Sequence, residues 1–146
     1  MLADSLVDQH HSHLWFPCVR RHPSRDVLVA QTNANQALFF RASAPFRRLR
    51  HWRPLSGSHE TDGLAVRCSF SPSGDTVVSG DARGRVAWYA LSSQRCVRQR
   101  QVLPPTTSAL VAESHPVDPQ QLLVAGSCGR LRLLNEQHRV AVDPNQ

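Results

Sequence analysis

Three times in 146 residues the chain runs through the same order of signals: a turn with proline, a short apolar run, a second turn, and another apolar run. The first halves read "HPSRDVLVAQ" from His22, "SPSGDTVVSG" from Ser71 and "HPVDPQQLLVAG" from His115, with Pro23, Pro72 and Pro116 lying 49 and 44 residues apart. The second halves are "ALFF" from Ala37, "RVAWYA" from Arg85 and "RLRLLN" from Arg130, whose starts are separated by 48 and 45 residues. A period in the mid-forties, made of short strands and tight turns, is the length of one blade of four antiparallel strands. The repeat therefore predicts an all-β fold, a partial β-propeller of about three four-stranded antiparallel blades.

The middle repeat carries the clearest pattern. Leu64, Val66, Cys68 and Phe70 alternate with Ala65, Arg67 and Ser69, which is the period of a strand with one face toward a core. Ser71 to Asp75 supplies a turn, "TVVSG" a β-branched inner strand, and "DARG" places Gly84 where a tight hairpin favours positive φ. "RVAWYAL" is the third strand, Ser92 and Ser93 turn the chain, and "QRCVRQRQV" forms a more polar fourth strand at the solvent edge. The third repeat reads likewise through "SALVAES", "QLLVAG", the "SCG" turn, "RLRLLN" and "HRVAV". The first is less regular: it opens with "WFPCVRR", where Pro17 implies an edge or a bulge, and "ALFF" leads into "RASAPFRRLRHWRPLSGSHETDG". That long interruption is expected to be an exposed excursion.

The expected organisation is a flexible segment or the end of a preceding element over 1–14 and a propeller segment over 15–142, with blades at about 15–53, 59–103 and 108–142. Because a propeller hides its edges only by closing a ring of roughly four to eight blades, further blades are expected from a parent chain or a partner chain. An isolated piece with unpaired end strands is expected to have low stability.

All 17 basic side chains are arginine, and against 11 acids they give a formal charge of +6. That balance points to acidic partners such as RNA, DNA or acidic protein surfaces, to which guanidinium forks are well matched. A GC-rich coding sequence would produce the same lysine-free composition, and the two explanations stand side by side. Cys18, Cys68, Cys96 and Cys128 lie 50, 28 and 32 residues apart, with no CxxC pair to clamp a metal, and read as small buried residues of a reducing compartment. His10, His11 and His13 precede Cys18, but a closed zinc site needs four placed ligands, so no metal or other cofactor is expected. No apolar run approaches the roughly 18 residues of a membrane span. GxSxG elbows, P-loops, HExxH and dinucleotide fingerprints are missing, and His22 and His115 each precede proline as turn formers. The reading is of a chain that binds rather than catalyses.

"FSPSGDTVVSGDARGRVAWY" resembles the WD-repeat pattern, with His59, Ser79, Asp81, Gly84 and Tyr89 at its structural positions. The sequence departs from that pattern in three places. Ser58 separates Gly57 from His59, Arg83 holds the aspartate position before Gly84 with Asp81 displaced by two, and Ala90 replaces the final aspartate. These departures predict that the buried hydrogen-bond network of many WD blades is lost. Over about residues 18–135 the chain is also similar to the propeller segment of the pre-mRNA-processing factor seventeen (Cdc forty) type of splicing factor and of WD repeat-containing protein 25. The similarity runs through Gln31, Thr32, Asn33, the run Arg47 to Arg53, and Tyr89. It implies a non-enzymatic scaffold of the spliceosome in the nucleus, contacting spliceosomal proteins and pre-mRNA or snRNA. A general WD adaptor, or a decayed propeller fragment without an RNA role, is the competing reading.

The candidate binding segment is "FRRLRHWRPL". Arg47, Arg48, Arg50 and Arg53 with His51 and Trp52 combine phosphate neutralisation with base stacking, the usual pairing for single-stranded RNA. The alternative is a solvated connection whose arginines pair with Glu60, Asp62 and other acids.

Overall fold

The computed structural model describes residues 14–135 and 140–142. Eleven strands form three antiparallel sheets, each a meander in chain order. The first holds β1 (Cys18–Arg21), β2 (Leu28–Gln31) and β3 (Ala37–Phe40). The second holds β4 (Cys68–Phe70), β5 (Thr76–Ser79), β6 (Arg85–Ala90) and β7 (Arg95–Gln101). The third holds β8 (Ala109–Ser114), β9 (Gln121–Gly126), β10 (Leu131–Asn135) and β11 (Val140–Val142).

The sheets stack face to face as propeller blades do, the second burying one face against the first and the other against the third. Val29, Phe39 and Leu55 of the first blade meet Phe70, Val77, Tyr89 and Leu91 of the second in one core. Val78 and Val86, on the other side of the second blade, meet Ala112, Leu122, Val124 and Leu134 of the third in another. Successive side chains of β5 thus enter different cores, as the two-residue period of a strand requires.

Two-sided burial changes the meaning of alternation. The pattern assigns Ser69 to the polar face of its strand, yet Ser69 is fully buried and donates from Oγ to the Ala112 carbonyl at 2.9 Å. It faces the third blade, where its hydroxyl also accepts from the Ser114 amide at 3.0 Å. Leu64, placed on the core face by the same alternation, is 39% exposed because the strand starts only at Cys68. The preceding residues instead cross between blades: the Arg67 amide donates to the Leu110 carbonyl at 2.8 Å, and Arg67 bridges Val111 in parallel.

The segment expected to be an exposed excursion is the reduced fourth strand of the first blade. It pairs with β3 at two isolated bridges, Arg48 with Phe40 and Leu55 with Ala37, and the Leu49 amide donates to the Phe39 carbonyl at 2.9 Å. Pro45 and Pro54 lack the N–H that a continuous ladder needs. The burial expected of the cysteines holds for Cys18 and Cys68, whereas Cys96 is half-buried and Cys128 exposed in its turn.

One clasp joins blades that are not neighbours in sequence. Arg20 of β1 donates from two guanidinium nitrogens to the Glu113 carboxylate of β8, at 2.7 and 2.6 Å.

Candidate functional site

The arginine segment is held from beneath. Leu49 and Trp52 pack on the core between the first two blades, with the Trp52 ring tilted against Phe39 at 5.1 Å between centroids. Arg25 lies over the same indole at 5.3 Å, and His51 meets its edge at 6.4 Å. Trp52 is therefore an anchor for the segment, sharing its surface with Phe39 and Arg25. Arg47, Arg50, His51 and Arg53 stand exposed, and Arg48 is half-buried.

Four acids are paired with arginines outside this segment. Glu60 accepts from Arg83 at 2.9 Å, Asp26 from Arg41 at 2.9 Å, Asp81 from Arg85 at 3.0 Å, and Glu113 from Arg20. Among the described residues, Arg47, Arg50 and Arg53 make no ion pair. Beside them opens a shallow hollow of about 330 Å³, lined by Arg41, Ser43, Ala44, Pro45, Arg47 and Leu49. Of the two guanidinium groups in its lining, Arg41 is paired with Asp26, to which Ser43 also donates, and Arg47 makes no ion pair among the described residues.

The sequence departures predict loss of the buried network, but the structure contains one with different members. Ser79 Oγ donates to Gln31 Oε1 at 3.2 Å, Gln31 Nε2 lies 3.1 Å from His59 Nε2, and His59 Nδ1 lies 2.6 Å from the Tyr89 hydroxyl. With the Gln31 amide donating to Nε2, the His59 proton sits on Nδ1 and is donated to Tyr89. Burial holds His59 down at about 4, the nearby Asp81 and Arg85 acting in opposite directions. Burial also pushes the Tyr89 hydroxyl well above its ordinary value. Neutral imidazole and neutral phenol are the forms this dry site holds.

Asp81 stands outside that chain and closes another junction. Its carboxylate accepts from the amides of Glu60 and Arg83, at 2.7 and 2.6 Å, and its backbone pairs in both directions with Ala109 of the third blade. Burial raises its pKa, but bonds from Arg85 and from the two amides outweigh this and leave it below the ordinary carboxylate range. Gly84, at φ 77°, completes the hairpin; a Cβ there would lie 2.6 to 2.8 Å from the carbonyl oxygens of Leu103, Pro104 and Thr107.

Gln31 is the member that residue-by-residue reading missed as a network partner. Its signal was its place at the end of "LVAQ", where an amide interrupts an apolar strand and is fully buried. His22 and His115 close their turns through Nδ1, which accepts two backbone amides in each case. His10, His11 and His13 lie outside the described residues. Among the described residues no group of three or more His, Cys, Asp or Glu side chains is placed to hold a metal ion.

Antiparallel meanders of three, four and four strands stacked face to face, tied by inter-blade bridges and a buried polar chain, define a segment of a β-propeller. The crystal structure of Saccharomyces cerevisiae Sqt1 matches this arrangement with a TM-score of 0.65 at 19% identity, over 82% of this chain and 31% of that one. WD repeat-containing protein 25 of Mus musculus is 36% identical over 120 residues, which is 81% of this chain and 21% of that protein. Pre-mRNA-processing factor 17 of Saccharomyces cerevisiae is 22% identical over 115 residues, 79% of this chain and 25% of that protein. No family model matches. The chain belongs to the WD-repeat family and is related to WD repeat-containing protein 25 and Pre-mRNA-processing factor 17. It spans between a fifth and a quarter of the length of these relatives.

Proposed function

We propose that this chain is a non-enzymatic scaffold segment of a nuclear pre-mRNA splicing factor, and that Arg47, Arg48, Arg50 and Arg53 with His51 form its contact with RNA or an acidic spliceosomal protein. The observation that carries the reading is the placement of Arg47, Arg50 and Arg53. They are exposed on a segment anchored by Leu49 and Trp52, with no ion pair among the described residues. The relationship to a protein named for pre-mRNA processing supplies the cellular setting. Further blades, from a parent chain or a partner, would cover the outer faces of the first and third blades. On the third, Leu123 and Leu131 are each 39% exposed.

The test is purification of the tagged chain from nuclear extract, with and without RNase, beside a variant carrying Arg47→Glu, Arg50→Glu and Arg53→Glu. Recovery of spliceosomal proteins that falls in the variant supports the reading; recovery of none from a sample shown to be folded refutes it. Single-stranded RNA binding gives the physical arm. Three phosphate contacts should give a slope of roughly −2 in log K against log salt, at about −0.7 per contact, and the variant should abolish it.

The higher identity to a relative whose name states only its repeats favours a second reading, a WD adaptor for acidic proteins outside splicing. Binding that survives RNase and brings down no spliceosomal protein would select it.

A further inference from the structure

The geometry points to an oxidation site between the first two blades: Cys18 and Cys68 form a buried dithiol that a hydroperoxide converts to an inter-blade disulfide. Each cysteine opens the innermost strand of its blade, and both are buried in the same apolar core. Cys18 Sγ lies 3.5 Å from the Cys68 carbonyl oxygen, which places the two residues in direct contact although 50 positions separate them. Their strands are held in place from the outer side, Cys18 opposite Gln31 and Cys68 opposite Ser79, and the Gln31–Ser79 hydrogen bond joins those two partners. The polar chain that fixes the blade spacing therefore also fixes the two thiols.

Electrostatics supports a division of roles. The Cys68 thiol as a donor to Cys18 sulfur, with Arg20 and Arg67 nearby, holds Cys18 down at about 6 despite burial. The same contact and full burial push the Cys68 thiol well up. Cys18, the thiol held lower, supplies the attacking thiolate once the proton it donates to the Cys68 carbonyl is lost, and Cys68 is the resolving thiol.

In the first step the Cys18 thiolate attacks one oxygen of hydrogen peroxide. An S–O bond forms, the O–O bond breaks, and the departing hydroxide takes a proton to become water. In the second the Cys68 sulfur attacks the Cys18 sulfenic acid, an S–S bond forms, and the sulfenic oxygen leaves as water with the Cys68 proton. Two thiols lose two electrons, and one peroxide becomes two waters. Peroxide is small enough to reach a pair this buried, where a larger disulfide oxidant would be excluded.

The experiment uses the full chain with Cys96→Ser and Cys128→Ser, which removes the half-buried and the exposed thiol. The folded protein is treated with hydrogen peroxide, alkylated, cleaved after arginine without reduction, and analysed by mass spectrometry. A peptide joining residues 1–20 to 68–83 is expected. It should vanish on reduction and in Cys18→Ser and Cys68→Ser variants, and oxidised protein should unfold at a higher temperature than reduced protein. The four-cysteine chain provides the second measurement. Oxidised while folded it should give Cys18–Cys68 as its main intramolecular linkage, whereas oxidised in guanidinium it should give mixed pairings. The proposal is overturned if folded protein, verified by its β-sheet circular dichroism, keeps Cys18 and Cys68 alkylatable as free thiols after peroxide. It is equally overturned if those residues pair no more often than in guanidinium.

Discussion

Removing the Tyr89 hydroxyl tests whether the buried polar chain holds the first two blades together. In Tyr89→Phe the ring remains in the core beside Phe39, Val77 and Leu91, so no cavity opens and the change isolates one oxygen. Its partner is His59 Nδ1 at 2.6 Å, and both residues are 1% exposed, so water cannot replace the lost acceptor. A buried donor left unsatisfied costs about 1–3 kcal/mol, and about 2 kcal/mol of lost stability is expected. Urea unfolding at pH 7.5 reads this as a lowered midpoint with unchanged slope. Ser79→Ala should cost about 1 kcal/mol, because that hydroxyl makes a longer bond to Gln31 and a local one to Gly80. If the four side chains act as one chain, the double variant should depart from additivity by more than about 0.5 kcal/mol.

The same site sets a pH dependence. His59 binds a proton near 6.5 when unfolded and only at about 4 when folded. Between those values the unfolded state holds more protons, so stability is complete above 6.5, declines as the pH falls toward 4, and declines no further from this group below that. At about 1.4 kcal/mol per pH unit the loss is on the order of 3 kcal/mol. A Tyr89→Phe cost below about 0.5 kcal/mol, with wild-type stability flat from pH 7 to 4.5, would refute the argument that this chain is dry and structural.

Gly84→Ala meets three carbonyl oxygens at a positive φ and should cost more than about 2 kcal/mol, read in the same unfolding assay; a neutral result would mean the hairpin rebuilds easily. Asp81→Asn removes charge from a carboxylate that accepts two short amide bonds and should cost about 1–3 kcal/mol at pH 7. Because the folded pKa of Asp81 is lowered from 3.8, its contribution is present above that pH and is lost as pH falls through the folded value. The variant should therefore show less acid destabilisation below pH 4 than the native chain. Arg20→Gln breaks a clasp whose side chains are 39% and 40% exposed, so its cost should stay below about 1 kcal/mol and shrink in 0.5 M salt.

The blade count and most strand positions were legible in sequence because the repeat spacing and the turn residues are local properties. The faces were less so. Alternation tells which residues share a side but not what covers it, and in this fold both sides of an inner strand are covered. Alternation separates Ser69 from the face of Cys68 and Phe70 without revealing that it reaches another blade's backbone 43 positions away. The arginine segment hid its role for a related reason: its prolines and charges resemble a loop, while Leu49, Trp52 and Leu55 attach it to β3 and the core. The network was misjudged because the family pattern directs attention to an aspartate near His59. Here Gln31, from the previous blade, and Tyr89 take the two imidazole nitrogens, leaving Asp81 to join the hairpin to its neighbours. Partners supplied from another blade leave no signal in the spacing of one repeat.

The Arg20–Glu113 clasp bears on geometry at a larger scale. It reaches from β1 to β8 past β4, so its closure depends on the angle subtended by three successive inner strands. That angle differs between rings of different blade number, widening the gap between alternate strands as the ring grows. The pair thus links alternate inner strands directly, and a ring with more blades would set those strands further apart for the two side chains to span.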